Sequence, residues 1–511
     1  MSDSIAAVQA EKHKRNGIGI DILWFIIVFV GCLFLTSLIP LPPNDFWWHL
    51  KIGETIYTQH IIPTTNIYAW TLPADQPFFY GSWLAELLFY FFYRIGSLSL
   101  VIFIRTILFG LTLWLAGVEA HRQSKSWRIS ALVIALLALM SINNLIVRTQ
   151  NWAWLPFILT YILLKRYTAG IIRWQWLFLC PLIMIFWVNV HGSFILGIII
   201  PGAFLAGEII QKLLRQKDVL NWFHIIIIGC VLVLSGLAIL VNPHFTGIVN
   251  YTVKLLTDPS SQRLIEEWQS PTPQGIANIT FYVSILIFLV LIAISKYRLR
   301  ATEIILTIGF LWLAWSGQRY VIWYGLITLP ILAKLISELS IKTTVFSPQK
   351  NWLNLGIAII LFVPVIAVQP WFVERLPLPQ TYWQQVLRSS SAGPLLDIAT
   401  PVSVTDYLTS HPGGKLYNEM GYGSYLIWAL PGQGVFADPR VELYPYDQWM
   451  DYIDISNGRN YDALLKKYGA DRILLDKKLQ PDLEMMLSED PSWSLEYDDQ
   501  YAQLWEKVKS P

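Results

Sequence analysis

A carboxylate and an imidazole stand four residues apart in Pro42-Pro43-Asn44-Asp45-Phe46-Trp47-Trp48-His49, directly after the first hydrophobic run of the chain. On a helix that spacing puts Asp45 and His49 on one face, where they could move a proton to or from a reacting group. Arg148 lies in Val147-Arg148-Thr149-Gln150-Asn151-Trp152, and Asn189 and His191 in Trp187-Val188-Asn189-Val190-His191-Gly192. His244, Arg263, Glu266, Glu267 and Trp268 fall in the stretch 242–276, and Arg319 stands between two apolar runs. A guanidinium matches phosphate oxygens in a bidentate fork, so Arg148 and Arg319 are candidates to neutralise a phosphodiester. Asp45 could take a proton from an acceptor hydroxyl as it attacks a sugar carbon, with His49 or His191 donating to the leaving phosphate or orienting it.

Each residue also has a purely structural use. Asp45 could cap a helix, where Asn and Asp are favoured. The Trp47-Trp48 pair could anchor in the headgroup layer or form a sugar platform. His49 reads either as a ligand contact or as an ordinary surface histidine. Arg148 and Arg319 could snorkel to headgroups, and His191-Gly192 could turn the chain between two packed helices. Glu266-Glu267 reads as a solvated pair, Arg105 as pairing internally or snorkelling, and Asp438-Pro439-Arg440 as fixing a loop.

The elements that must position these groups are membrane helices. Of 511 residues, 54% are hydrophobic and only 14% charged. Soluble proteins carry about 25% charged residues, so lipid solvates most of this chain. A formal charge of +2 without a Lys/Arg-rich tract leaves no footprint for nucleic acid. Cys32, Cys180 and Cys230 sit in apolar runs, with neither metal-ligand spacing nor a disulfide framework. A helix needs about 20 apolar residues to cross the hydrocarbon core. Candidates lie near 20–40, 97–117, 128–146, 152–166, 174–190, 193–213, 222–241, 277–295, 302–317, 319–337 and 352–370. They predict a polytopic α-helical protein of about eleven transmembrane helices, with 83–94 as a short interfacial or re-entrant helix. The first run lacks a small-residue cleavage site and is expected to be retained.

Loop charge orients these helices. Arg122, Lys125 and Arg128; Lys165, Arg166 and Arg173; Lys212, Arg215 and Lys217; Lys296, Arg298 and Arg300; and Lys342 and Lys350 all join the basic N-terminus on one side. The positive-inside rule predicts a cytoplasmic tail at 1–19 and a multi-pass domain at 20–370 with outer loops 41–96 and 242–276. It puts 371–511 outside the cytoplasm. There, strand-like runs at Lys415–Asn418, Tyr425–Leu430, Gly434–Asp438, Arg472–Asp476, Trp493–Tyr497 and Tyr501–Trp505, with helical patterns at 401–410 and 460–469, predict an α/β domain. The candidate site residues then crowd the outer helix ends, whereas a transporter would hold them near the midplane.

Asp45-Phe46-Trp47-Trp48-His49, followed by Gly53-Glu54, Ile62-Pro63 and Trp83-Leu84-Ala85-Glu86, resembles the first outer loop of a group of bacterial multi-pass proteins. Arg148-Thr149-Gln150, Asn189-Val190-His191-Gly192 and Glu267-Trp268-Gln269-Ser270-Pro271 are similar to that group as well. So are Tyr417 to Leu426 and Val435 to Arg440 in the tail. The architecture resembles the GT-C class of integral-membrane glycosyltransferases, which includes protein mannosyltransferases and aminoarabinose transferases. That resemblance implies a polyprenyl-phosphate-linked sugar donor and an acidic residue in the first outer loop, a position that Asp45 matches. Many members of the wider class carry two adjacent acids there; here Asn44 and Phe46 flank the single Asp45.

The expected function is transfer of a sugar from a polyprenyl phosphate to an extracytoplasmic glycan, lipid or protein, at the bacterial inner membrane. Asp45, His49 and His191 are the expected catalytic residues, and Arg148 and Arg319 the donor-phosphate ligands. Trp48, Glu54, Glu86, Asn189, Glu267 and Trp268 form the expected substrate-binding set. No motif demands a cofactor, although Glu54, Asp75 and Glu86 could help hold a divalent cation through oxygen ligands. Two other readings fit the same residues. One is a polysaccharide polymerase or ligase using a lipid-linked glycan, with His191 or Glu267 as base. The other is a non-catalytic membrane protein whose outer domain binds a glycan or a partner.

Overall fold

The computed structural model describes residues 18–216, 219–339, 351–373, 375–377, 379, 389–390 and 393–508. The N-terminal tail up to residue 17, and Lys217, Lys342 and Lys350, lie outside the described residues. Helices dominate the chain up to Val373, and each of the eleven expected apolar runs holds one. Five helical stretches are long and apolar enough to cross a membrane: Ile20–Ser37, Trp83–Ser124, Gly192–Leu213, Gly275–Ile294 and Gln318–Ser337. Shorter apolar helices, among them Trp127–Met140, Trp222–Ala238 and Ala301–Ser316, pack beside them. Large side chains such as Leu182, Ile226, Leu286 and Trp312 stay exposed on the helix surfaces, as a lipid-facing surface requires.

The helix Trp83–Ser124 breaks its regular path at Gly96 (φ −147°, ψ 26°) and Ser97 (φ 54°, ψ −160°). This kink sets the expected short helix at 83–94 apart from the span that follows. Within that span the buried Arg105 donates to the carbonyls of Ile39 (3.0 Å) and Thr36 (2.5 Å). Of its two expected uses, internal pairing is the one realised. It satisfies carbonyls that the end of the first helix leaves open.

Strands β1 (Ser389–Ser390) and β2 (Gly393–Asp397) pair antiparallel. A four-stranded sheet follows, built from β3 (Leu416–Asn418), β4 (Arg472–Asp476), β5 (Trp493–Asp498) and β6 (Ala502–Lys507) in the order β3-β4-β6-β5. β3 and β4 run parallel, and β6 is antiparallel to both of its neighbours. Four of the six expected strands are therefore present. The stretch Tyr425–Leu430 is instead mostly the end of the helix Met420–Ala429, capped by Glu419, whose side chain accepts from Tyr422 N at 2.8 Å. A short apolar run suits either element, and the cap decides. Gly434–Asp438 makes only an isolated bridge, Val435 with Ala69.

The segment after the first helix belongs to this sheet unit. Trp48, Ile52, Ile56, Ala69, Phe78 and Tyr80 share one core with Leu416, Leu426, Phe436, Ile473 and Leu504. Ser424 Oγ donates to the Asn44 carbonyl at 2.6 Å and accepts from Trp48 N at 3.1 Å. At Gly421 a Cβ would collide with the Pro43 carbonyl, so the close approach requires glycine. The tryptophan pair is thereby corrected: Trp47 and Trp48 are 1% and 8% exposed, buried in protein rather than in the headgroup layer. Trp47 Nε1 donates to the Pro42 carbonyl at 2.9 Å. A second glycine, Gly53, lets the helix Phe46–Gln59 lie against the backbone at Glu86, where no Cβ fits. Gly53→Val is expected to destabilise the protein by about 1–3 kcal/mol, read as a lowered melting temperature in detergent.

Burial pushes the Glu419 carboxyl up to about 7. The folded unit then keeps a proton that the unfolded chain releases near its ordinary value. Stability from this group is present at acid pH and lost as pH rises towards 7. Relative to Glu419→Gln, the melting temperature of the wild type is expected to decline between about pH 5 and 7. A constant difference across that window would count against it.

Candidate functional site

Asp45 holds the N-cap position of the helix Phe46–Gln59, yet its carboxylate caps nothing. Asn44 Oδ1 accepts from Phe46 N instead, at 3.2 Å. The Asp45 side chain, 31% exposed, lies 3.8 Å from Arg148 Nε. Arg148 begins the turn Thr149–Ala153, where Asn151 Oδ1 holds its backbone N–H at 2.9 Å. Its buried Nε has no hydrogen-bond partner among the described residues. Its Nη1 pairs with one oxygen of Glu267, and the other Glu267 oxygen lies 3.4 Å from Arg319 Nη1. Arg319 also covers the Trp268 ring at 4.4 Å. Its carbonyl accepts from Asn144 Nδ2 (3.3 Å) and Gln150 Nε2 (3.1 Å), which fixes the turn that presents it. Four distant segments thus meet in the row Asp45, Arg148, Glu267, Arg319 and Trp268.

The site is electrostatically tight. Burial depresses the Arg148 guanidinium below its ordinary value; Asp45 opposes this and the charge of Arg319 reinforces it. His191 joins the same field: burial first, then Arg319 and Arg148, hold its imidazole down at about 3. The ring is neutral at pH 7. Its Nδ1 accepts from Ser193 N at 3.0 Å and sits 2.8 Å from Ser193 Oγ, which receives Trp187 Nε1 at 3.0 Å. The proton therefore resides on Nε2, a donor. The tight-turn use of His191 is met through Nδ1.

The other expected residues make contacts of their own. His49 is buried rather than a surface histidine, one turn behind Asp45, with Nδ1 2.9 Å from Glu86 Oε1 and its ring 3.6 Å from that of Trp48. Burial, followed by His191, Arg148 and Arg440, keeps it well below the usual imidazole range. Glu54, nine residues from Asp45 and so on the opposite face of the helix, pairs with Lys51 at 2.5 Å. Asn189 accepts from Trp83 Nε1 (2.7 Å) and donates to the carbonyls of Ile185 and Val241 (both 2.8 Å), tying helix ends together. Glu54, Asp75 and Glu86 do not gather around a common cation site. Among the described residues no group of three or more His, Cys, Asp or Glu could hold a metal ion.

Two residues near the site escaped the sequence reading. Tyr251, on the helix Gly247–Thr257, stacks on Phe79 at 4.5 Å and donates to Glu442 Oε1 at 2.7 Å. Glu442 sits in the turn Val441–Leu443, next to a fully buried ion pair. Arg440 Nε and Nη2 reach the two Asp438 oxygens at 2.8 and 2.7 Å, Tyr444 Oη donates to Asp438 at 2.5 Å, and Arg440 Nη1 donates to Tyr80 Oη at 3.2 Å. Asp438-Pro439-Arg440 does fix a loop, and that loop presents Glu442. The nearby Asp-Pro-Arg segment was the available signal.

No protein-family model and no curated protein sequence matches the chain. Among solved structures it is similar to the archaeal oligosaccharyltransferase AglB of Archaeoglobus fulgidus in complex with an inhibitory peptide and a dolichol-phosphate. The TM-score is 0.51 at 12% identity, over 89% of this chain and 70% of that one. ArnT of Cupriavidus metallidurans in the apo state has a TM-score of 0.43 at 13% identity, over 95% of this chain and 98% of that one. ArnT bound to undecaprenyl phosphate has 0.40 at 12%, over 96% and 98%. The chain has the fold of the GT-C membrane glycosyltransferases, the class that its sequence resembles.

Proposed function

We propose that the protein transfers a sugar from a polyprenyl-phosphate donor to an acceptor outside the cytoplasm. The observation that carries this reading is the convergence of Arg148 and Arg319 on the single carboxylate of Glu267, beside Asp45. Two guanidiniums sharing one carboxylate make a ready site for a phosphate, whose oxygens would take the place of Glu267. The orphaned Nε of Arg148 is a further donor for that anion. Asp45 would accept the proton of the attacking hydroxyl as the new bond to the sugar carbon forms. The carbon–oxygen bond to the phosphate breaks, and the polyprenyl phosphate leaves with the electron pair, its charge held by the arginines and by Nε2–H of His191. The oligosaccharyltransferase of the same fold was solved with a dolichol-phosphate, a lipid of this chemistry.

In this reading residues 20–370 cross the bacterial inner membrane eleven times, with the tail at 1–19 in the cytoplasm. Residues 371–511, with the loops 41–96 and 242–276, lie outside and receive the acceptor, a glycan, lipid or protein of the cell envelope. The basic residues of the cytoplasmic loops pair with acids at that end, Lys165 with Glu303 (2.6 Å) and Arg300 with Glu208 (3.2 Å). The test supplies purified protein with radiolabelled polyprenyl-phosphate sugars and membrane acceptors, wild type beside Asp45→Asn. Transfer is expected to fall by about 10²-fold or more in the variant. Undiminished transfer would remove Asp45 from the mechanism, and labelling of a cysteine in 41–82 from the cytoplasmic side would overturn the topology.

A further inference from the structure

One acid of the C-terminal unit faces the site without a part in the transfer just described. Glu442 is held by the hydroxyl of Tyr251 at 2.7 Å, and Tyr251 is itself stacked on Phe79. Three segments that are far apart in the chain, around 79, 251 and 442, therefore meet at this carboxyl group. Burial raises its pKa; the charges of Asp258 and Asp45 add to the rise, while the Tyr251 hydroxyl opposes it. Arg319 in turn feels both Asp45 and Glu442. The turn Val441–Leu443 that carries Glu442 packs against the helix Pro259–Leu264, which leads into the Glu266–Trp268 turn holding Glu267 and Trp268 of the site.

The anionic donor has its cations in Arg148 and Arg319. A carboxylate repels a phosphate and instead accepts hydrogen bonds from a group that carries O–H or N–H. We propose that Glu442 is the acceptor-binding carboxylate, taking a hydrogen bond from a hydroxyl or amino group of the acceptor and orienting it towards Asp45, with Tyr251 as the positioning residue for Glu442. This rests on the glycosyl-transfer reading above. Neither residue would be needed to hold the donor.

The experiment uses the full chain in lipid nanodiscs and two probes. Undecaprenyl phosphate reports the donor site, and a titrated extract of bacterial membranes reports transfer from a labelled undecaprenyl-phosphate sugar. Glu442→Gln is expected to bind undecaprenyl phosphate as the wild type does, while its apparent KM for the extract rises about tenfold or more. In the wild type that KM should improve as pH rises through the titration of Glu442, because the carboxylate is the better acceptor. The dependence should vanish in Glu442→Gln. It should move to higher pH in Tyr251→Phe, which removes a hydrogen bond to the charged form. Glu442→Asp should recover part of the affinity.

An unchanged KM and pH dependence in Glu442→Gln, with donor binding intact, overturns the acceptor role and leaves the donor reading standing. Should Glu442→Gln fail to fold, Tyr251→Phe decides: an unshifted pH dependence overturns the role. A wild type that does not bind undecaprenyl phosphate sinks the donor reading and this inference with it. Binding without any transfer to the extract counts against an acceptor site at Glu442 alone.

Discussion

Replacing Arg148 with glutamine is expected to weaken binding of a polyprenyl phosphate by about 10- to 100-fold, the worth of one or two hydrogen bonds to a charged group. The reason lies in the shared carboxylate. Arg148 and Arg319 both engage Glu267, so a phosphate must displace an internal anion and be repaid by both guanidiniums. Without Arg148, the field around the phosphate keeps Asp45 and Glu267 but only one of its two arginines. Arg148→Lys should recover little, because an ammonium lacks the planar fork. Glu267→Gln should act in the opposite direction and tighten binding, since the competing charge is gone. Titration of undecaprenyl phosphate into the three variants measures all of this. Equal affinities across the set would remove Arg148 from donor binding.

Arg440→Met is expected to cost about 3–5 kcal/mol of stability. Arg440 and Asp438 are both fully buried, and their ion pair is hydrogen-bonded further to Tyr80 and Tyr444. Removing the guanidinium leaves Asp438 charged and uncompensated in the interior, where desolvation is not offset. The double variant Asp438→Leu with Arg440→Met should lose less than the single one, because a neutral apolar pair strands no charge. Thermal denaturation in detergent, followed by tryptophan fluorescence, tests the cycle. A single variant as stable as the wild type would show that the pair is not what holds the 438–444 loop. The same loop carries Glu442, so transfer should fall with it.

Much of the architecture could be read locally. A helix in lipid must satisfy its own backbone, so length and apolarity mark helices such as Ile20–Ser37 and Gly275–Ile294 without reference to the rest of the chain. The break before the span at 97 coincides with Gly96 and Ser97. Strands β3, β4, β5 and β6 were legible from their apolar runs, whereas Tyr425–Leu430 was not. Its helical state depends on the Glu419 cap and on packing against Pro43 and Asn44, almost four hundred residues away in sequence.

The site divides in the same way. Residue type and position at helix ends were enough to single out Asp45, Arg148, His191, Glu267, Trp268 and Arg319, because an ionisable group at a membrane edge is costly and needs a reason. Helical periodicity also put Asp45 and His49 on one face, one turn apart. The sequence alone could not say that Trp47 and Trp48 would be covered by the C-terminal unit. Nor could it set Glu267 between two arginines, or bring Tyr251 to Glu442. Periodicity reports neighbours three or four residues away, while these contacts join segments separated by 50 to 400 positions. Only the closed tertiary structure decides which of those segments meet, since each meeting depends on many side chains burying their surfaces together.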